Sequence, residues 1–249
     1  MLFDIINALA MVIWIVMYVF YGRHYGFSKL KSLFISVFSC VVTYMFIFVL
    51  YWICSGFKYF GAQNAVRAYS TIVIVFWLET KIFKVDFRTL CDYQSIWPIL
   101  WFGLGHIACI FEGCCHSFHY EEGTTVFKIA HALTGTDMLP VQAMEAFGSL
   151  ILALILIIVH KKKNYNTGGR LFFYGLIAYA VPRFFMEFLR DNDKLIEFGT
   201  MPGAFDMYHD SATFGISELA LWAIVMIVES VIFLVIFDKQ DKKKALEAK

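Results

Sequence analysis

The feature that most constrains this chain is the recurrence of apolar runs about twenty residues long. A bilayer core of roughly 30 Å takes about 20 helical residues to cross. Inside it, only helices and closed barrels satisfy their own backbone groups. Seven stretches are predicted as spanning helices: about 5–21, 32–54, 65–83, 95–112, 140–159, 171–189 and 214–237. The third is the least clean, with "TIVIVFWL" enclosed between Arg67 and Glu79. Composition agrees, since 60% of the residues are hydrophobic against about 45–50% in a soluble domain. The expectation is an all-α polytopic membrane protein, with residues 1–249 as one domain.

The loops sort by charge. Fifteen of the 21 basic residues fall after the first and third spans, between the fifth and sixth, and in the tail. Only Lys58, Arg67, Lys128, Arg190 and Lys194 fall on the other side, and Arg183 lies inside a span. Cytoplasmic loops carry the excess of Lys and Arg, so the N-terminus is predicted outside and the C-terminus in the cytoplasm. The opening "MLFDIINALAMVIWIVMYVF" has an Asp and no basic region. It reads as a first span rather than a cleaved leader. The net charge of +1 argues against a nucleic-acid partner.

Polar groups inside such segments cost free energy and default to functional candidates. In "LFFYGLIAYAVPRFFMEFLRDND", Tyr179, Arg183 and Glu187 follow at i, i+4 and i+8 and share one helical face. Pro182 frees the carbonyl of Ala178. In "LPVQAMEAFGS", Gln142, Glu145 and Ser149 again share a face, behind a Pro140 suited to the first turn. A favourable helix-dipole position explains Glu145 equally well. In "GAQNAVRAYST", Asn64 and Arg67 sit at the same predicted depth, where Arg67 also fits a snorkelling role. In "GHIACIFEGCCHSFH", His106, Cys109 and Gly113 share a face at the end of the fourth span. The Cys and His spacing fits no standard zinc pattern, and the six cysteines form no CxxC pair. A metal or redox role stays open for this stretch. Four helices thus bring polar groups to the outer leaflet, which points to a pocket for a charged headgroup between apolar walls. An Arg there suits phosphate, through its planar donor fork. "VFKIAHALTG" (126–135) in the first outer loop has the modest amphipathicity of an interfacial segment. Glu79 and Glu229, on the inner half, have no account at this level.

These residues resemble a known family. "YGLIAYAVPRFFMEFLRDND" is similar to the late signature of the prolipoprotein diacylglyceryl transferases, with Arg183, Glu187 and Arg190 spaced as Arg, Glu and Arg. "LPVQAMEA" resembles that family's Pro-x-Gln-x-x-Glu helix start, and "GHIACIFEGCCHS" its Gly-Arg-x-Gly-(Cys/Asn) stretch. The resemblance implies a transferase that moves a diacylglyceryl group from phosphatidylglycerol to a lipobox cysteine thiol, in the bacterial cell membrane. No cofactor and no bound metal are expected. The resemblance makes Tyr179, Arg183, Glu187 and His106 the catalytic candidates. Asn64, Arg67, Cys109, Gly113, Gln142, Glu145 and Arg190 become substrate-binding candidates. Two positions depart from the family pattern. His106 stands where the family has a second Arg, and "FGAQNAVRAYST" stands where it has His-Gly-Gly-Leu. Arg67 is a candidate for the lost positive charge, and His106 for the base. The same fold acting on another lipid donor or acceptor, or binding lipid without catalysis, stays open as an alternative.

Overall fold

A computed structural model describes residues 2–54, 65–112, 117–190 and 218–248. The helices, in order, are α1 (Leu2–Tyr21), α2 (Lys29–Cys54), α3 (Ala65–Phe83), α4 (Phe87–Tyr93), α5 (Trp97–Glu112), α6 (Thr125–Thr134), α7 (Val141–Lys162), α8 (Arg170–Glu187) and α9 (Glu218–Glu247). A 3-10 turn, Gly22–Tyr25, follows α1. No strand occurs among the described residues. Two isolated antiparallel bridges, Ser117 with Arg190 and His119 with Met138, tie the loop ahead of α7.

The chain is a polytopic helical membrane protein. Ala8–Tyr25, Lys29–Phe46, Phe87–Phe111, Val141–Lys162 and Ala220–Glu247 are long and apolar enough to cross a membrane. All seven predicted spans coincide with helices, but α3 and α8 are not among those five segments. The 18 residues of α8 carry Arg170, Arg183 and Glu187.

The distribution of side chains is inverted relative to a soluble bundle. On α7 the buried positions are Val141, Glu145, Ala146, Ser149, Ala153, Leu156 and His160. The opposite face exposes Phe147, Ile151, Leu154 and Ile158. With hydrocarbon as solvent, large apolar groups gain nothing by turning inward, and small residues at the interface let backbones approach. Gly103 on α5 does this, since a Cβ there would lie 2.8 Å from Leu150 of α7. The main pairings are α5 with α7, α8 with α9, α1 with α5, and α2 with α3. The buried aromatic core joins them, as in the stacked pair Trp14 and Trp97, 4.5 Å apart.

Three features differ from expectation. The short α4 precedes the fourth span, capped by Asp86, whose side chain accepts from the Thr89 N–H. Seven residues are too few to print a helical period. Pro140 is the N-cap of α7 rather than its first residue. Most visibly, α9 runs to Glu247 rather than ending near 237. An ion-pair network accounts for the extension. Arg88 pairs with Asp241 at 2.6 Å and donates to the Phe237 carbonyl at 2.9 Å. Arg170 pairs with Asp238 at 2.8 Å and Asp241 at 2.6 Å. Gly169 makes the close approach possible, with φ +80° and a Cβ position 3.0 Å from the Arg88 backbone.

The structure also gives Glu79 its explanation. It is fully buried, in contact with Ser39, and accepts from Gln94 Nε2 at 2.6 Å. Ser39 Oγ reaches Gln94 Oε1 at 2.8 Å, so α2, α3 and the turn before α5 meet in one polar ring.

Candidate active site

The site is built on α8. Its i, i+4, i+8 register places Tyr179, Arg183 and Glu187 on the inward face, and they are 5%, 4% and 3% exposed. Arg183 Nε meets Glu145 Oε1 of α7 at 3.1 Å. Arg183 Nη1 meets Glu187 Oε2 at 2.6 Å. Arg190, just past the helix end, brings Nη1 to 3.7 Å from the same Glu187 oxygen. On α5, His106 Nε2 lies 3.3 Å from Glu145 Oε2. Glu145 therefore joins three helices, giving one oxygen to Arg183 and the other to His106.

His106 presents Nε2 to the Glu145 carboxylate, and its ring can carry a proton on either nitrogen. Two arginines and two carboxylates make the cluster electrically balanced. An ion pair this deep is costly to break from either side, because the orphaned charge stays buried. The second terminal nitrogen of Arg183 takes part in neither ion pair.

Beside the cluster lies a cavity of about 130 Å³, and Met144, Glu145, Ser149, Tyr179, Pro182 and Arg183 are among the residues lining it. Tyr179 is held by stacking on Phe102, with ring centroids 4.0 Å apart. Its buried hydroxyl has no hydrogen-bond partner among the described residues. A buried phenol normally finds a partner, so this hydroxyl is poised for a group that none of the described residues supplies. The helix continues through Pro182, which lines the cavity next to Arg183. The arrangement offers a fixed guanidinium and a hydroxyl at the edge of an apolar space, with His106 held against Glu145.

Of the other residues the sequence pointed to, Cys109 is buried on α5. Gln142 is half-buried on α7, one turn ahead of Glu145, and does not line the cavity. Asn64 and Gly113 lie outside the described residues, as does the side chain of Arg67. The same holds for Cys114, Cys115 and His116. Sequence reasoning missed Ser117. It is fully buried, its Oγ accepts from the Leu139 N–H at 2.7 Å, and its backbone bridges Arg190. This contact fastens the loop ahead of α7 to the end of α8, and no local pattern announces it. His119 and Asp137, paired at 2.8 Å, close the same loop.

The family model for prolipoprotein diacylglyceryl transferase matches residues 3–236. Among curated proteins, the chain is similar to phosphatidylglycerol–prolipoprotein diacylglyceryl transferase 2 of Clostridium perfringens. They are 27% identical over 119 residues, which is 42% of this chain and 46% of the relative. It is also similar to the phosphatidylglycerol–prolipoprotein diacylglyceryl transferase of Dehalococcoides mccartyi. There the identity is 26% over 120 residues, or 47% of this chain and 45% of the relative. These matches span just under half the length of each relative. With the family model covering nearly the whole chain, and with the Arg–Glu helix face present, this chain belongs to the prolipoprotein diacylglyceryl transferase family.

Proposed function

We propose that this protein transfers a diacylglyceryl group from phosphatidylglycerol to a cysteine thiol of a prolipoprotein, in the bacterial cell membrane. The observation that carries the reading is Arg183, buried between Glu145 and Glu187 at the edge of an apolar cavity. In the reaction the cysteine sulfur attacks the glyceryl carbon that bears the phosphate ester. The C–S bond forms as the C–O bond breaks, and glycerol phosphate leaves with the oxygen and its electron pair. Negative charge builds on that leaving phosphate, where Arg183 supplies fixed N–H donors. A single preorganised donor of this kind is worth about 10²–10³ in rate. The thiol proton passes to His106, and Glu145 stabilises the imidazolium that results. Tyr179 donates its hydroxyl to a substrate oxygen. Arg190 holds Glu187, and so the angle of the Arg183 fork.

The expected topology is seven spans, N-terminus outside and C-terminus in the cytoplasm, with α8 crossing through its contacts to α7 and α9. Labelling of single cysteines placed at Ser28 and Glu122 with an impermeant reagent tests it. Only the Glu122 site should react from outside.

His106 favours a second reading on the same fold: a donor or acceptor other than the usual pair. It stands where the family pattern has Arg, and a neutral imidazole grips phosphate less firmly than a guanidinium. Complementation of a strain depleted of its own prolipoprotein diacylglyceryl transferase separates the two. Growth supports the first reading, and a stably inserted but non-complementing protein supports the second.

A further inference from the structure

A second open site lies at the far end of α7 from Glu145. Lys161 is sixteen residues further along that helix, roughly 24 Å at 1.5 Å per residue. There a groove of about 540 Å³ runs between α1 and the end of α7, within the roughly 300–1,000 Å³ of typical small-molecule sites. Its floor is apolar. Val12, Val16 and Phe20 stand one turn apart along α1 and are about half exposed, with Ile13 and Met17 on the neighbouring row. Its mouth is basic: Arg23, His24 and Lys161 line it, and none of the ten lining residues is acidic.

The mouth is also built, not merely two lysine-rich helix ends side by side. Tyr165, in the turn after α7, has φ +59°. A bulky residue in that left-handed region is an outlier, and such strain persists only where the surroundings hold it. Here the surroundings are rings. Tyr165 stacks on His24 at 3.7 Å and meets Tyr21 edge-on at 5.3 Å. The turn after α1 is thereby clipped to the turn after α7, and the groove keeps its width. Tyr and Arg at the level where an apolar groove ends match the aromatic and basic residues of membrane interfaces. A basic pocket between spanning helices is suited to an anionic lipid headgroup.

We propose that this groove binds one anionic phospholipid, its phosphate between Arg23 and Lys161 and an acyl chain along Val12, Val16 and Phe20. The site lies on the opposite membrane face from the Arg183 cluster and is independent of the activity proposed above.

The test uses the full chain in phosphatidylcholine vesicles. They contain a few mole per cent of a photoactivatable phosphatidic acid, with the diazirine in its acyl chain. After illumination, labelled peptides are mapped by mass spectrometry. Labelling is expected on the α1 peptide that includes Val12 to Phe20, and little with the matching phosphatidylcholine probe. Each Lys or Arg near anionic lipid contributes about 1 kcal/mol, or about fivefold, so the double variant Arg23→Gln, Lys161→Gln should lower labelling of that peptide about 25-fold. Val16→Trp, which fills the groove and keeps both charges, should lower it as well. Equal labelling by the two probes overturns the proposal. So does undiminished labelling in the double variant, or a crosslink joining α1 of two copies.

Discussion

Glu145 and Arg183 face each other across α7 and α8 at 3.1 Å, both almost fully buried. One carboxylate thus fixes the guanidinium, while its other oxygen orients His106 at 3.3 Å. The ion pair is structural and chemical at once, so substitutions should separate the two roles.

Glu145→Ala leaves Arg183 buried with half its compensation. Breaking a buried pair from one side costs about 3–5 kcal/mol. The expected result is a lower melting temperature in detergent together with loss of transfer. Glu145→Gln, which keeps the hydrogen-bonding shape, should be milder in stability and still impaired in rate.

Tyr179→Phe removes a hydroxyl with no hydrogen-bond partner among the described residues and keeps the stack on Phe102. Stability should be unchanged within about 0.5 kcal/mol, as for a substitution that breaks no contact. Transfer activity should fall at least tenfold in a purified assay.

His106→Gln removes the proton acceptor while keeping a donor to Glu145. A general base contributes about 10²–10⁴ in rate. A loss of that size, with lipid binding retained, is the expected outcome in a single-turnover measurement. His106→Arg matches the family's residue type but puts another cation against Arg183, and it should not restore the lost base.

Much of this was legible beforehand because membrane helices print their polar residues against a uniform apolar background. Tyr179, Arg183 and Glu187 stood out for that reason, and so did the face of Glu145 and Ser149. Their partners were harder to read. That Glu145 meets both His106 and Arg183 depends on how α5, α7 and α8 cross, and periodicity fixes only the face each presents. Ser117 was invisible because its role is a long-range backbone bridge to Arg190. The end of α9 was misplaced because Asp238 and Asp241 look like tail residues until Arg88 and Arg170 are seen beside them.

Glu79 supplies a further check away from the site. Glu79→Ala strands Gln94 and Ser39 in the core, and a buried group left unsatisfied costs about 1–3 kcal/mol. Thermal unfolding should register that loss, and transfer per folded molecule should be unchanged.

The central claim is that Arg183 grips the phosphate of a lipid donor. Transfer of radiolabelled diacylglyceryl from phosphatidylglycerol to a lipobox peptide, in vesicles holding the wild-type chain or Arg183→Ala, tests it most directly. The expected result is transfer by the wild type and a loss of at least about 100-fold in the variant, with both proteins inserted. Full transfer by Arg183→Ala would contradict it.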